Sequence, residues 1–288
     1  MAYRLYGLTV RSDFALPARA VEDVTTPDLV IIDAGYREIP DQPMAGTELS
    51  HLDIKGIRYD SFATADGFVV RYPGFFEATI DSGLTTVEVV SASAELRPVT
   101  ELLIAGNLFA QLLTLRGDCI LHASAVEKDG HALTFVGAPG TGKSTMAAVL
   151  CAAGSRLVTD DVLRIVQEDA RLRCAVGSTH IRLRRVASAL AAPIGGEVTV
   201  SPDERTTVTT PTPAVDPVLD AIVFLQASRT TTVTDITRLS PTDTLLKLTM
   251  FPRVLGWTDR GIIEQTFRWN ARLARQLPAF VATVPWGP

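Results

Sequence analysis

Residues 137–145 read G-A-P-G-T-G-K-S-T, between the apolar run Ala132-Leu133-Thr134-Phe135-Val136 and the helix-forming run Met146-Ala147-Ala148-Val149-Leu150. That is a complete P-loop pattern in its required context of strand, glycine-rich turn and helix, and it sets the expected fold class as α/β. The pattern assigns the anion cradle to Gly137, Ala138, Pro139, Gly140, Thr141, Gly142, Lys143, Ser144 and Thr145. The glycines let the backbone curl its N–H groups inward, and the helix N-terminus behind them also favours negative charge. Within that cradle Lys143 is placed to reach β- and γ-phosphates, and the Ser144 hydroxyl to hold Mg²⁺, so the expected ligands are ATP and Mg²⁺.

The composition narrows the class. A chain of 288 residues, 47% hydrophobic and 20% charged, can bury a sizeable core as one large domain or two smaller ones. A net charge of −5 and a pI near 5.4 argue against a nucleic-acid partner, which would require a basic footprint. The opening M-A-Y-R-L-Y-G-L-T-V has no signal-peptide-like apolar stretch and no membrane-spanning run is read elsewhere, so a cytoplasmic protein is expected. Cys119, Cys151 and Cys174 have neither metal nor redox spacing and read as reduced core residues.

Two regions are expected. Residues 1–96 read as β-rich and free of any catalytic constellation, with strand-like segments at 29–32, 54–59, 68–72 and 85–90 separated by turn signals. This region could receive a substrate or partner. Residues 97–288 read as the nucleotide-binding domain, entered by a helix over 98–115 and by a hairpin of strands 120–126 and 131–136. The helix after Lys143 should stop at Gly154, and a short strand over 156–159 should return to the loop carrying Asp160-Asp161 at its tip. An acid there suits Mg²⁺ or its water. Thr179 to Arg185 alternates like a strand with basic residues on both faces, a pattern that suits a phosphate clamp or, at least as readily, a solvated edge strand, while 191–217, rich in proline and threonine, reads as a poorly packed surface stretch. Ser240-Pro241 should open one helix, and a last amphipathic helix spans about 261–277.

Taken together, L-H-A-S-A-V at 121–126, the P-loop, and V-T-D-D-V at 158–162 resemble the core of the HPr kinase family, bacterial kinases that phosphorylate a serine on a carrier protein. The Y-x-L-Y-G-L opening at 3–8 is similar to relatives that include serine kinases of lasso-peptide biosynthesis. The resemblance implies a P-loop kinase core of the HPr kinase/PEP carboxykinase-like type with a mixed sheet. It also implies His122 and Asp161 as an acid–base pair, Lys143 stabilising transferred charge, and Asp160 serving Mg²⁺ with Ser144. This chain departs from the family where Ala138 and Pro139 replace an acidic and a serine residue, and where no acid stands near 181–185. The implied activity is transfer of the γ-phosphoryl group of ATP to a serine of a peptide or small protein. A small hydroxylated metabolite as acceptor, and a non-catalytic ATP-binding regulatory protein, are the alternatives. A homo-oligomer is compatible with all three.

Overall fold

The computed structural model describes residues 1–22, 24–42, 44–54 and 57–285. Two compact units emerge, one of 1–117 with 254–265 and one of 118–253 with 266–288. The division therefore falls at 117/118 rather than at the 96/97 read from the sequence, because the helical stretch after residue 96 buries its apolar side within the first unit.

That unit is built on β1 (Ala2–Leu5), β2 (Leu8–Ser12), β3 (Arg19–Val21), β4 (Leu29–Tyr36), β5 (Thr47–Ile54), β6 (Ile57–Thr64), β7 (Gly67–Tyr72), β8 (Phe76–Asp81) and β9 (Thr86–Ser91). They form one sheet in the order β3-β1-β2-β4-β9-β8-β7-β6-β5. Of the expected strand at 54–59, positions 55 and 56 lie outside the described residues. The helix over 94–115 is continuous, with α1 (Arg97–Leu103), a π turn at Ile104–Leu108 and α2 (Phe109–Leu115). By length and composition alone it passes as a candidate membrane span, a test that a core helix also passes, and half of its most apolar window is buried. Its polar groups are also tied into the unit. Gln111, buried, accepts from Ser61 and donates to the Tyr72 hydroxyl at 3.0 Å, and Tyr6 donates to the Ala105 carbonyl at 3.1 Å.

The second unit holds β10 (Cys119–Leu121), β11 (Ala123–Lys128), β12 (His131–Val136), α3 (Lys143–Ala152), β13 (Arg156–Thr159), β14 (Leu163–Glu168), β15 (Arg171–Ala175) and β16 (His180–Leu183). It continues through a 3₁₀ helix at Arg185–Ile194, then β17 (Val198–Val200), β18 (Thr206–Thr209), β19 (Val218–Ser228), β20 (Asp235–Arg238), α4 (Pro241–Met250), the part of α5 (Arg260–Gln276) from residue 266 on, and β21 (Ala279–Pro285). The main sheet runs β10-β14-β15-β19-β12-β11-β13, with β21 on β19 and β20 on β21. It is mixed, since β12 and β19, and β19 and β21, are parallel and their other partners antiparallel. Mixed α/β architecture is thus observed directly.

Alternation along the strands sends side chains to two cores. Val136, Ile222 and Phe224 join Leu248 of α4 and Leu273 of α5 on one face. Phe135, Val223 and Leu225 join Ala147 and Ala148 of α3 on the other, together with Ile181, Leu183 and Val208. The last three belong to a small sheet, β16-β18-β17. Within residues 191–217, β17 is exposed, as a surface stretch would be, but β18 is not loose, because it pairs with β16 and buries Val208 between them and α3. Gly154, at φ 93°, follows α3, and Ser240 caps α4 by accepting from the Asp243 N–H at 3.1 Å, as the sequence suggested.

The first unit hides an ion pair that its sheet must keep intact. Arg71 on β7 meets Glu77 on β8 at 2.5 Å, both buried, and Glu77 also accepts from Arg37. Truncating the acid strands a buried guanidinium, a change that costs about 3–5 kcal/mol. Glu77→Ala should therefore lower the urea midpoint of unfolding, while Glu88→Ala, on the neighbouring β9, should shift it far less.

Candidate active site

The loop between β12 and α3 is a turn closed on itself. The Thr141 N–H and hydroxyl both donate to the Ala138 carbonyl, at 3.2 and 2.9 Å. Gly137 lies so close to β19 that an added Cβ would stand 3.0 Å from the Leu225 carbonyl oxygen, and Gly140 takes a left-handed φ of 88°. Only glycine meets both demands without strain. α3 begins at Lys143, whose buried ammonium turns back on the loop and donates to the Gly137 and Ala138 carbonyls at 2.8 and 3.3 Å. Burial pushes the Lys143 ammonium down from its ordinary pKa, opposed by Asp161 and Asp160 and assisted by Arg253 and Arg184.

Strand β13 delivers Asp160 and Asp161 beside this loop, and their environments differ. Asp160 is buried and accepts three hydrogen bonds: from Ser124 of β11 at 2.5 Å, from Ser144 of α3 at 2.9 Å and from the Arg182 N–H of β16 at 3.1 Å. Burial still raises its pKa, with the neighbouring Asp161 charge adding to the rise and the hydrogen bonds opposing it. Asp161, at φ 81°, adopts a backbone conformation that a non-glycine residue holds only at a cost of order 1–3 kcal/mol. That turn aims its carboxylate at His122 Nε2, 3.1 Å away, and at the Arg253 guanidinium, 2.8 Å away. Burial alone would raise Asp161, but Arg253 and His122, with Arg182, hold it far below the usual carboxylate range. Adjacent acids pushed in opposite directions are a common sign of divided chemical labour.

His122 owes its place to a break in the strand expected over 120–126. The chain pairs with β14 up to Leu121 and with β12 from Ala123, so His122 sits at the change of partner and is free of both ladders. The structure thus brings His122, Lys143, Ser144, Asp160 and Asp161 together at one end of the sheet, while Pro139 projects into solvent. Two groups are not singled out from the sequence, Ser124 and Arg253, whereas Arg184 belongs to the basic 179–185 stretch weighed there as a phosphate clamp or an edge strand. Ser124 lies inside L-H-A-S-A-V, where a polar residue among the small apolar residues of a strand buried on both faces is the available signal. Arg253 follows α4, 92 positions from its partner, and nothing local marks it.

A divalent cation fits this donor set. Among the described residues no three His, Cys, Asp or Glu side chains converge as a protein-only cage. Ser144 and Asp160 instead offer two hard oxygens at the mouth of a phosphate-type loop, the arrangement Mg²⁺ uses when substrate phosphates and water complete its shell.

No family model matches the chain, and no curated protein does. Among solved structures, the HPr(Ser) kinase/phosphatase from Coxiella burnetii is similar over 58% of this chain and 85% of that one, at 13% identity and a TM-score of 0.30. A superposition that loose carries no argument about chemistry.

The Asp161–Arg253 pair has a definite signature in acid. A carboxylate with a depressed pKa contributes stability that is present above its ordinary value of 3.8 and is lost as pH falls through the lower folded value. Asp160 works oppositely, its contribution fading as pH rises through a raised value. Arg253→Ala should return Asp161 toward the ordinary value. Urea midpoints measured from about pH 6 to about pH 3 should then fall less steeply in the variant than in the parent.

Proposed function

We propose that the chain is an ATP-dependent kinase that transfers the γ-phosphoryl group to a hydroxyl, with a serine of a peptide or small protein as acceptor. The observation that carries this reading is the juxtaposition of two differently tuned carboxylates, Asp160 on the Ser144 hydroxyl and Asp161 on His122, at the mouth of a P-loop. A protein that only bound nucleotide would need the first contact and not the second.

In this reading the loop amides and Lys143 hold the phosphate chain in line with the acceptor. Mg²⁺, held by Ser144 and Asp160 together with phosphate oxygens, would supply neutralisation of the phosphate charge. The acceptor oxygen forms its bond to Pγ, the bond from Pγ to the β–γ bridging oxygen breaks, and the acceptor proton passes to Asp161. ADP leaves with the bonding pair. Asp161 need not be a strong base, since phosphoryl transfer proceeds through a loose transition state in which positioning and charge stabilisation dominate. His122 orients the Asp161 carboxylate and restrains its basicity together with Arg253. The serine acceptor rests on the sequence resemblance of L-H-A-S-A-V, the P-loop and V-T-D-D-V to serine kinases, and a lasso-precursor peptide within that class on the Y-x-L-Y-G-L opening with L-H-A-S-A-V.

Lys143→Ala should weaken Mg-ATP binding in calorimetry by roughly tenfold or more, the value of one lost charge-assisted contact. Asp161→Asn should keep ATP affinity while transfer falls by about 10² to 10⁴, as loss of a general base does. Mass spectrometry of serine peptides incubated with enzyme and Mg-ATP should show the gain of one phosphoryl group. Efficient turnover of a small hydroxylated metabolite with no peptide modified would replace the peptide acceptor with a small molecule.

A further inference from the structure

We infer that Arg184 is a second cation of the phosphate cradle, one that contacts the terminal phosphate of a bound nucleoside triphosphate. The inference rests on the kinase reading above and adds to it a residue that the P-loop pattern does not contain.

Arg184 follows β16 in an extended conformation, φ −65° and ψ 156°, immediately before the 3₁₀ helix at Arg185–Ile194. That backbone carries its side chain over the loop. A Cβ at Gly140 would stand 3.1 Å from one terminal guanidinium nitrogen and 3.5 Å from both the central carbon and the other terminal nitrogen. The guanidinium therefore lies against the loop at Gly140, close enough that a Cβ there would crowd one of its terminal nitrogens.

Its neighbours on the strand are engaged elsewhere. The Arg182 side chain pairs with Asp203, and its N–H donates to Asp160. Arg253 is paired with Asp161. Among the described residues, the Arg184 side chain has neither an ion pair nor a hydrogen bond, while its carbonyl accepts from the Ala187 N–H at 2.8 Å. A long cationic side chain laid across a glycine-rich turn, with Lys143 nearby, repels like charge and gives up rotamer freedom. An exposed arginine with no task would be expected to extend into water instead. What reconciles the placement is an anion between the loop and the guanidinium, whose fork of donors suits two phosphate oxygens at once. Lys143 donates only to carbonyls of its own loop. The pair thus presents two positive charges without hydrogen-bonded carboxylates, matching a polyphosphate better than a single carboxylate.

Calorimetry with Mg-ATP and Mg-ADP tests this on the full chain. Arg184→Ala should weaken ATP binding on the order of 10- to 100-fold, the span of a lost charge-assisted hydrogen bond, and ADP binding much less. Arg184→Lys should recover part of the ATP affinity. Arg185→Ala, which removes the adjacent exposed charge, should leave it unchanged, and the thermal melt of Arg184→Ala should match the parent because the side chain is exposed. Equal ATP affinity in parent and Arg184→Ala overturns the inference while leaving the kinase reading standing. Equal losses for ATP and ADP overturn the terminal-phosphate assignment. A parent that binds neither nucleotide refutes the kinase reading, and this inference with it.

Discussion

The buried carboxylate of Asp160 is the constraint on which the site depends. It accepts from Ser124 on β11, from Ser144 on the first turn of α3 and from the backbone of Arg182 on β16. One charge thereby fixes the relative position of a hairpin strand, the P-loop helix and the small sheet. A charge removed from water is tolerated when its lone pairs are filled, and becomes costly when any partner is withdrawn. The same crowding that makes Asp160 a structural hub also raises its pKa through burial. It is thereby a group whose ionised form gains from a nearby cation.

Asp161 follows from this arrangement. With Asp160 committed inward, the next residue must leave the strand at once, and its left-handed φ of 81° turns it toward His122 and Arg253. Strain held at one position and a strand break at another, His122, converge on a single pair of side chains. The two irregularities explain each other. A regular strand through 120–126 would place the imidazole within the ladder, and an ordinary backbone at 161 would point the carboxylate elsewhere.

How much of this the sequence displays depends on the range of the interactions involved. The β12–loop–α3 unit is legible because its signals are local: an apolar run, glycines where the loop closes on itself, and a helix-forming run. Asp160 and Asp161 are legible for the same reason, since one helix and one return strand separate them from Ser144. Strands β1, β2, β3 and β8 escape notice because short or mixed segments carry little period of their own and are fixed by their partners, Phe76 of β8 pairing with Ser91 of β9, for example. Residues 191–217 mislead for the opposite reason. Their prolines and threonines mimic a loop, yet Thr206–Thr209 is held by non-local pairing to β16 and by burial of Val208. Local composition loses there to tertiary context.

Arg253 marks the limit of sequence reading most sharply, because it is an ordinary arginine until the fold gives it a neighbour, whereas Arg184 lies in the basic 179–185 stretch and only its place over the loop depends on the fold. Arg253 acquires Asp161 from 92 positions away, which turns a surface-type residue into the dominant opposing charge on a candidate base. Arg184 acquires Gly140, and so a place over the loop rather than an acid to bind. The two guanidiniums differ in what holds them: one is neutralised within the protein, the other is held over backbone amides that themselves favour anions. Positive charge without an internal partner, set against a turn whose N–H groups curl inward, is what a polyphosphate would neutralise. The exposed Arg184, rather than the ion-paired Arg253, is therefore the cation available to respond when the phosphate chain enters.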